Sequence, residues 1–204
     1  MRERFRRHPV TAGYLLAVAG LALLMRFVFA DGMTAQVRES LSTNPANLAD
    51  HPVNALLGSA FVLDPADPLV FTVLVLAAVA VCLGAFEREV GAWRAVALAV
   101  VGHVGATLVT TAVIAAGAYP SDLTHVTDLG VSYVAFAAAG AVTVLLPMVL
   151  RGPWMGLVVA YPLLTADWYG LVPEFGAVGH VAAAFIGSGC GAFAVHRVYA
   201  SVGR

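Results

Sequence analysis

Six apolar stretches, each about as long as the twenty residues that a helix needs to cross a bilayer, dominate this sequence. They run over Val10–Ala30, Leu69–Phe86, Ala92–Ala118, Val131–Leu150, Trp154–Leu171 and Phe175–Ala200. Most charged residues lie in the gaps between these stretches or at the termini. Charged residues make up only 11% of the 204 residues, whereas in a soluble domain they make up about a quarter. The pattern predicts an all-α membrane protein, a bundle of six transmembrane helices.

We expect a single domain over residues 1–204, because no internal repeat or low-complexity tract interrupts the series of stretches. The short segment 1–9 precedes a first stretch that is too long for a signal-peptide core and is followed by no Ala-x-Ala site. This first stretch is therefore expected to be a retained helix. The long loop 31–68 contains the apolar run Ala55–Leu63, which is expected to lie in the membrane interface as short helices.

The arginines predict the orientation of the bundle, since cytoplasmic loops of membrane proteins carry an excess of basic residues. With the amino terminus inside, the outer side holds only Arg38, with Arg26 near the outer end of the first stretch. The inner side then holds Arg2, Arg4, Arg6, Arg7, Arg88, Arg94, Arg151, Arg197 and Arg204. We therefore expect a multi-pass protein of the cell membrane, surrounded by lipid, with both termini cytoplasmic.

Composition and the spacing of cysteine and histidine also exclude some classes of partner and ligand. The chain has no lysine and no basic face, which excludes nucleic-acid binding. Cys82 and Cys190 both lie in apolar stretches, where a cysteine behaves as a small hydrophobic residue. No metal-ligand spacing of cysteine or histidine is present, so neither a metal nor a cofactor is expected.

Polar side chains inside a membrane span are costly and are therefore candidates for function. Ser132 lies within about one turn of the start of the fourth stretch, and His180 about a turn and a half into the sixth. Both stretches are expected to run inward, which places the two side chains at a similar depth in the outer half of the bilayer. A histidine beside a serine is the minimum for nucleophilic catalysis, because the imidazole removes the hydroxyl proton.

Three further polar positions carry weaker predictions. His103 lies near mid-membrane, where a structural hydrogen bond is the favoured interpretation. Asp128 lies one turn before Ser132 and is expected to cap the fourth helix or to orient the imidazole of His180. The segment Asp167–Tyr169, at the predicted end of the fifth helix, is typical of an interfacial aromatic anchor.

Several motifs resemble the rhomboid intramembrane serine proteases. Gly130-Val131-Ser132-Tyr133 resembles the Gly-x-Ser-Gly nucleophile motif of that family. Gly179-His180 resembles its catalytic histidine, and Ala183 and Gly187 resemble the stripe of small residues after that histidine, a stripe that permits close packing on the fourth helix. Further similar segments are Leu56–Phe61, which leads into the second helix, and Leu83-Gly84 with Glu87 and Gly91, which ends it.

The resemblance implies a rhomboid-like fold, with Ser132 as nucleophile, His180 as general base and acid, and a transmembrane protein segment as substrate. Two features depart from the family pattern. Tyr133 replaces the second glycine of the nucleophile motif, and Phe71 and Val75 occupy the second-helix positions where rhomboids carry a His and an Asn that stabilise the oxyanion. The backbone N–H of Ser132, with Gly130 before it, remains as a donor; the side chains that could substitute are His103, His125 and Asn54.

Three functions therefore compete. The first is an intramembrane serine endopeptidase. The second is a catalytically inactive rhomboid-like pseudoprotease that binds client membrane helices, which the missing oxyanion donors favour. The third is a small transporter, which predicts ionisable residues along a path between both membrane faces and an inverted repeat. The predicted inner half of this bundle has almost no such residues, so the transporter is the least favoured.

Overall fold

The computed structural model describes residues 8–28, 33–64, 67–120 and 127–202. Most of them are helical. The long helices are α1 (Pro9–Phe27), α5 (Leu69–Val90), α6 (Ala92–Ala115), α7 (Val131–Val142, continued by a 3-10 turn over Thr143–Leu145), α8 (Met148–Thr165) and α9 (Phe175–Val202). Between α1 and α5 lie three short helices, α2 (Met33–Leu41), α3 (Pro45–Asp50) and α4 (Pro52–Ser59), as expected for the long loop.

Four of these helices are long and apolar enough to cross a membrane, namely Leu69–Val90, Ala92–Ala115, Met148–Thr165 and Phe175–Ala200. Two shorter apolar helices accompany them, Pro9–Met25 and Val131–Leu145. Large apolar side chains such as Leu69, Leu157 and Phe193 are exposed on the outside of the bundle, as lipid-facing residues are in a bilayer. The chain is therefore an all-α membrane protein, while the count of six spans stays a prediction.

Helix α1 begins against the end of α5. The carboxylate of Glu87 is buried and accepts hydrogen bonds from the backbone N–H groups of Val10 and Thr11, at 2.9 and 2.8 Å, and from the Thr11 hydroxyl at 2.7 Å. The first N–H groups of a helix have no partner inside it, so Glu87 satisfies them and fixes where α1 starts. Gly91, with φ +89°, then turns the chain from α5 into α6.

Helix α7 forms the centre of the bundle and is buried along nearly its whole length. Alanine is its commonest residue, at five of twelve positions, and α9 crosses it closely. A Cβ atom added to Gly187 would collide with the carbonyl oxygen of Ala137, and one added to Gly140 would collide with that of Ala184. The prediction that the small-residue stripe of the sixth helix packs on the fourth is thus confirmed.

The predicted ends of the fourth and fifth helices were wrong. The fourth ends at Leu145 rather than Leu150, because Pro147 disfavours the helical conformation for the residue before it, and Leu146 is extended with ψ 152°. The fifth helix begins at Met148 and ends at Thr165. The segment predicted as its last turn instead forms a small hairpin of β1 (Trp168–Tyr169) and β2 (Val172–Pro173), turned at Gly170 with φ +69°.

Candidate active site

Ser132 and His180 meet at one end of the bundle, which we call the Ser132 end. Ser132 lies in the first turn of α7 and His180 in the second turn of α9, and both helices start at this end. The Oγ atom of Ser132 and the Nε2 atom of His180 are 2.8 Å apart. This is hydrogen-bond distance, and in the tautomer with the proton on Nδ1 the serine hydroxyl donates to Nε2.

Three aromatic rings surround the imidazole of His180. Phe136, one helical turn after Ser132, stacks on it with centroids 4.4 Å apart and planes 21° apart. Tyr133 packs edge-on with centroids 5.4 Å apart, and Phe71 of α5 lies 5.8 Å away. Aromatic pairs in these geometries are attractive. The rings therefore restrict the imidazole to an orientation in which Nε2 faces Ser132.

The serine–histidine pair lines a cavity of about 470 Å³, a size typical of ligand sites. Its walls come from three parts of the chain, residues 64–71, 127–133 and 161–180. They are formed by Asp64, Asp67, Pro68, Val70, Phe71, Thr127, Asp128, Leu129, Ser132, Tyr133, Tyr161, Pro162, Thr165, Tyr169, Glu174, Phe175, Gly176 and His180. The cavity therefore leaves space for a polar molecule beside the Ser132 hydroxyl.

Carboxylates are concentrated around this cavity. Burial, together with the nearby charges of Asp64 and Glu174, raises the pKa of Asp67 to about 6. Burial and the charge of Asp167 likewise raise the pKa of Glu174. Arg38 forms an ion pair with Asp64, with Nη1 and Oδ1 2.8 Å apart. Since Asp67 is still mostly ionised at neutral pH, the cavity mouth carries negative charge.

Gly130 and His103 fix the start of α7. The N–H of Gly130 donates to the carbonyl oxygen of Ser59 at 3.0 Å. Beneath it, Nε2 of His103 lies 2.9 Å from the carbonyl oxygen of Leu56, to which it donates, and 3.2 Å from the hydroxyl of Ser59. A Cβ atom at position 130 would strike the His103 ring, so only glycine permits this approach. His103 lies outside the cavity, bound as a structural histidine would be.

Asp128 is buried and makes no hydrogen bond to His180. Its Oδ1 accepts from the Tyr133 hydroxyl at 2.8 Å, and its Oδ2 accepts from the Thr43 hydroxyl at 3.0 Å. Its own N–H donates to the Ser42 hydroxyl at 2.8 Å. Burial raises the pKa of Asp128 to about 6, and the hydrogen bonds from Tyr133 and Thr43 partly oppose that shift. The N-cap of α7 is Gly130 and no side-chain hydrogen bond caps the helix, so Asp128 is not a hydrogen-bonding cap; that its charge favours the start of the helix stays a prediction.

Two of the α5 side chains near Ser132, Phe71 and Val75, are apolar. Phe71 stacks in parallel on Tyr161 of α8 with centroids 6.5 Å apart, and both Phe71 and Val75 line a small space next to Ser132. Of the suggested substitutes for the missing donors, Asn54 is exposed and does not line the cavity, and His125 lies outside the described residues. Backbone N–H groups in the first turn of α7, which lack partners within the helix, are donors that lie close to Ser132.

Sequence reasoning missed two contributors to the site. Phe136 could have been found, because a residue four positions after Ser132 lies on the same helix face. Tyr133 was treated only as a departure from a glycine motif, although its ring fills the space left by the absent side chain of Gly179. No cluster of three or more metal-ligating side chains occurs in the part of the chain that the structure describes.

Comparison with known proteins bears on the family. The sequence matches the family described as rhomboid-like protein over residues 4–200, which is nearly the whole chain. Neither the search of curated proteins nor the search of solved structures found a match. The family match extends over all the motifs on which the resemblance was based, from the segment before the second helix to the histidine of the sixth. The chain belongs to the rhomboid-like protein family.

Proposed function

We propose that this protein is an intramembrane serine endopeptidase that cleaves transmembrane segments of other proteins. Ser132 is its nucleophile and His180 its general base and acid. The observation that carries the proposal is the 2.8 Å separation of Ser132 Oγ and His180 Nε2 at the wall of a cavity large enough for a polypeptide segment. An ordinary serine is a weak nucleophile, and a base in hydrogen-bond contact is what activates it.

The proposed reaction proceeds by acyl transfer. The Ser132 hydroxyl gives its proton to His180 Nε2 while Oγ forms a bond to the scissile carbonyl carbon. The imidazolium then protonates the leaving amine as the C–N bond breaks, which leaves an ester on Ser132. A water molecule, deprotonated by the same nitrogen, attacks the ester, and the proton returns to Oγ as the ester bond breaks. The two half-reactions consume one water and regenerate both residues.

The oxyanion formed in each half-reaction needs hydrogen-bond donors. In the proposed site they are backbone N–H groups of the first turn of α7, including that of Ser132, where the helix dipole also favours negative charge. Loss of one donor of an oxyanion hole typically costs two to three orders of magnitude in rate. With Phe71 and Val75 on α5, the enzyme is therefore expected to be slow.

The proposed setting is a six-span domain in the cell membrane with both termini cytoplasmic. Arg88, Arg94 and Arg151 lie at helix ends opposite to the Ser132 end, which supports this orientation under the positive-inside rule. The cavity then opens to the outer side, where water reaches it through the loops before α7 and α9. A substrate helix would be unwound near the outer leaflet.

A second candidate is a pseudoprotease that binds client membrane helices without cleaving them. The observation that favours it is the presence of Phe71 and Val75 on α5 beside Ser132, since neither side chain can donate a hydrogen bond to an oxyanion. The two candidates share the fold and the cavity. They differ in one property, the chemical reactivity of the Ser132 hydroxyl.

A fluorophosphonate probe distinguishes them, because it reacts with an activated serine. The purified protein should be labelled slowly, and labelling should vanish in Ser132→Ala and in His180→Ala. Ser188→Ala, which removes another serine from α9 away from the cavity, serves as the matched control and should label like the parent. Labelling that survives in Ser132→Ala would assign the reaction to another residue. A folded parent that never labels would establish the pseudoprotease.

A further inference from the structure

Tyr133 stands between Asp128 and His180. Its hydroxyl donates to Asp128 Oδ1 at 2.8 Å, and its ring packs edge-on against the imidazole with centroids 5.4 Å apart. The tyrosine is 1% exposed and the aspartate 8%. The buried Tyr133 side chain therefore connects the Asp128 carboxylate to the His180 imidazole.

Both ends of this link are held in place. The Tyr133 ring lies against Gly179, where any Cβ atom would collide with it, and Gly179 directly precedes His180. The Asp128 carboxylate is fixed on its other side by the Thr43 hydroxyl at 3.0 Å, and its backbone N–H by Ser42. A buried carboxylate that lost these donors would be strongly destabilised. The carboxylate therefore has little freedom to release the Tyr133 hydroxyl.

We propose that Asp128 is a positioning residue for His180, acting through Tyr133. The carboxylate fixes the Tyr133 hydroxyl, and the fixed ring forms one wall of the space that holds the imidazole opposite Ser132. This inference rests on the proposed function for its catalytic meaning, but the positioning itself is a property of the folded protein. Tyr133 occupies the place of a glycine in the nucleophile motif, so this arrangement is a feature of this chain.

The arrangement explains why a tyrosine suits that place. A smaller residue at position 133 would leave a gap beside the imidazole and against Gly179, and the ring of His180 could then rotate away from Ser132. A phenylalanine would fill the gap but lose the hydrogen bond to Asp128. Displacement of a catalytic group by about 1 Å is enough to lower a rate by up to about a hundredfold. Hence the hydroxyl, not only the ring, is expected to matter.

The test compares variants by ¹⁵N NMR of histidine-labelled protein in detergent, with the His180 signals identified by their loss in His180→Gln. Tyr133→Phe and Asp128→Ala remove the hydrogen bond between Tyr133 and Asp128, while Asp128→Asn retains a side-chain oxygen that accepts from the Tyr133 hydroxyl. Tyr14→Phe is the matched control, because the Tyr14 hydroxyl also donates to a protein acceptor, the carbonyl oxygen of Ala60, and neither residue lines the cavity that holds His180. The rate of fluorophosphonate labelling is measured on the same samples.

We expect the His180 signals to shift or broaden in Tyr133→Phe and Asp128→Ala, and to stay in place in Asp128→Asn and Tyr14→Phe. Labelling should fall about tenfold in the first two variants and change little in the others. Unchanged His180 signals in Tyr133→Phe would overturn the inference, as would an equal change in Tyr14→Phe. If the parent protein never labels, the proposed function fails, and the NMR comparison still decides the positioning role.

Discussion

The ring of Phe71 lies against the imidazole of His180, with centroids 5.8 Å apart. Val75, one turn further along α5, is buried and shares with Ser132 the walls of a small space. These two apolar residues occupy the positions at which the family pattern has oxyanion donors. Phe71 thus helps to hold the imidazole of the proposed base, and neither Phe71 nor Val75 can donate a hydrogen bond to the oxyanion of the proposed reaction.

Val75→Asn should raise the rate at which a fluorophosphonate labels Ser132. The amide would add a donor beside the serine, and one such donor is typically worth about two to three orders of magnitude in rate. Burying the amide should also lower stability by about 1–3 kcal/mol. Val79→Asn is the control, because Val79 is equally buried on α5 but does not line the space at Ser132. Equal labelling of the two variants would show that position 75 does not face the oxyanion.

Gly187→Leu should destabilise the bundle, as the close contact of α9 with α7 has no room for a side chain at this position. The added side chain would collide with the Ala137 carbonyl, and overpacking of this kind costs about 1–3 kcal/mol. Gly189→Leu is the matched control, since a Cβ atom at Gly189 meets nothing within 4 Å. Thermal unfolding in detergent measures both. If the two variants melt alike, the close crossing of α7 and α9 is not what stabilises the bundle.

Asp128 should make stability depend on pH. Burial raises its pKa from the ordinary 3.8 to about 6, so the folded state binds the proton more tightly than the unfolded state. Its contribution then favours folding below pH 3.8 and is lost as the pH rises to about 6, a change of about 3 kcal/mol at most.

Asp128→Asn isolates this contribution, because an amide does not titrate. The melting temperature of the variant minus that of the parent should be largest at pH 7 and should fall as the pH is lowered to 4.5, across the window between the two pKa values of Asp128. Other carboxylates with raised pKa values, such as Asp67, are common to both proteins and cancel in the difference. A difference that does not change with pH would mean that Asp128 titrates alike in both states.

The proximity of Ser132 and His180 could be anticipated from the sequence, because depth in a membrane helix follows from counting residues at a known rise. The small-residue stripe at Ala183 and Gly187 was predictable for a similar reason, since its spacing places both residues on one helix face. Both inferences needed only regular geometry along one helix. The family assignment, which rested on motifs spread over several helices, is confirmed by the family match.

The environment of Asp128 could not be predicted in this way. Its partner Thr43 lies 85 residues earlier, in the turn between α2 and α3, where no periodic pattern fixes which side chain faces inward. The same holds for the pairing of His103 with the carbonyl of Leu56 from α4. The misplaced end of α7 has another cause: the apolar run continues past Pro147, and apolarity was given more weight than the effect of proline on the preceding residue.

The orientation of the bundle in the membrane can be measured by single-cysteine labelling in a variant that lacks Cys82 and Cys190. Asp50 at the end of α3 is exposed at the Ser132 end, and Gly152 near the start of α8 is exposed at the opposite end. If the positive-inside rule holds for this chain, a membrane-impermeant thiol reagent added to intact cells should label Asp50→Cys and spare Gly152→Cys until the cells are opened. The reverse pattern would place the termini outside and the cavity on the cytoplasmic side, where the proposed substrate helix would have to be cut near the inner leaflet.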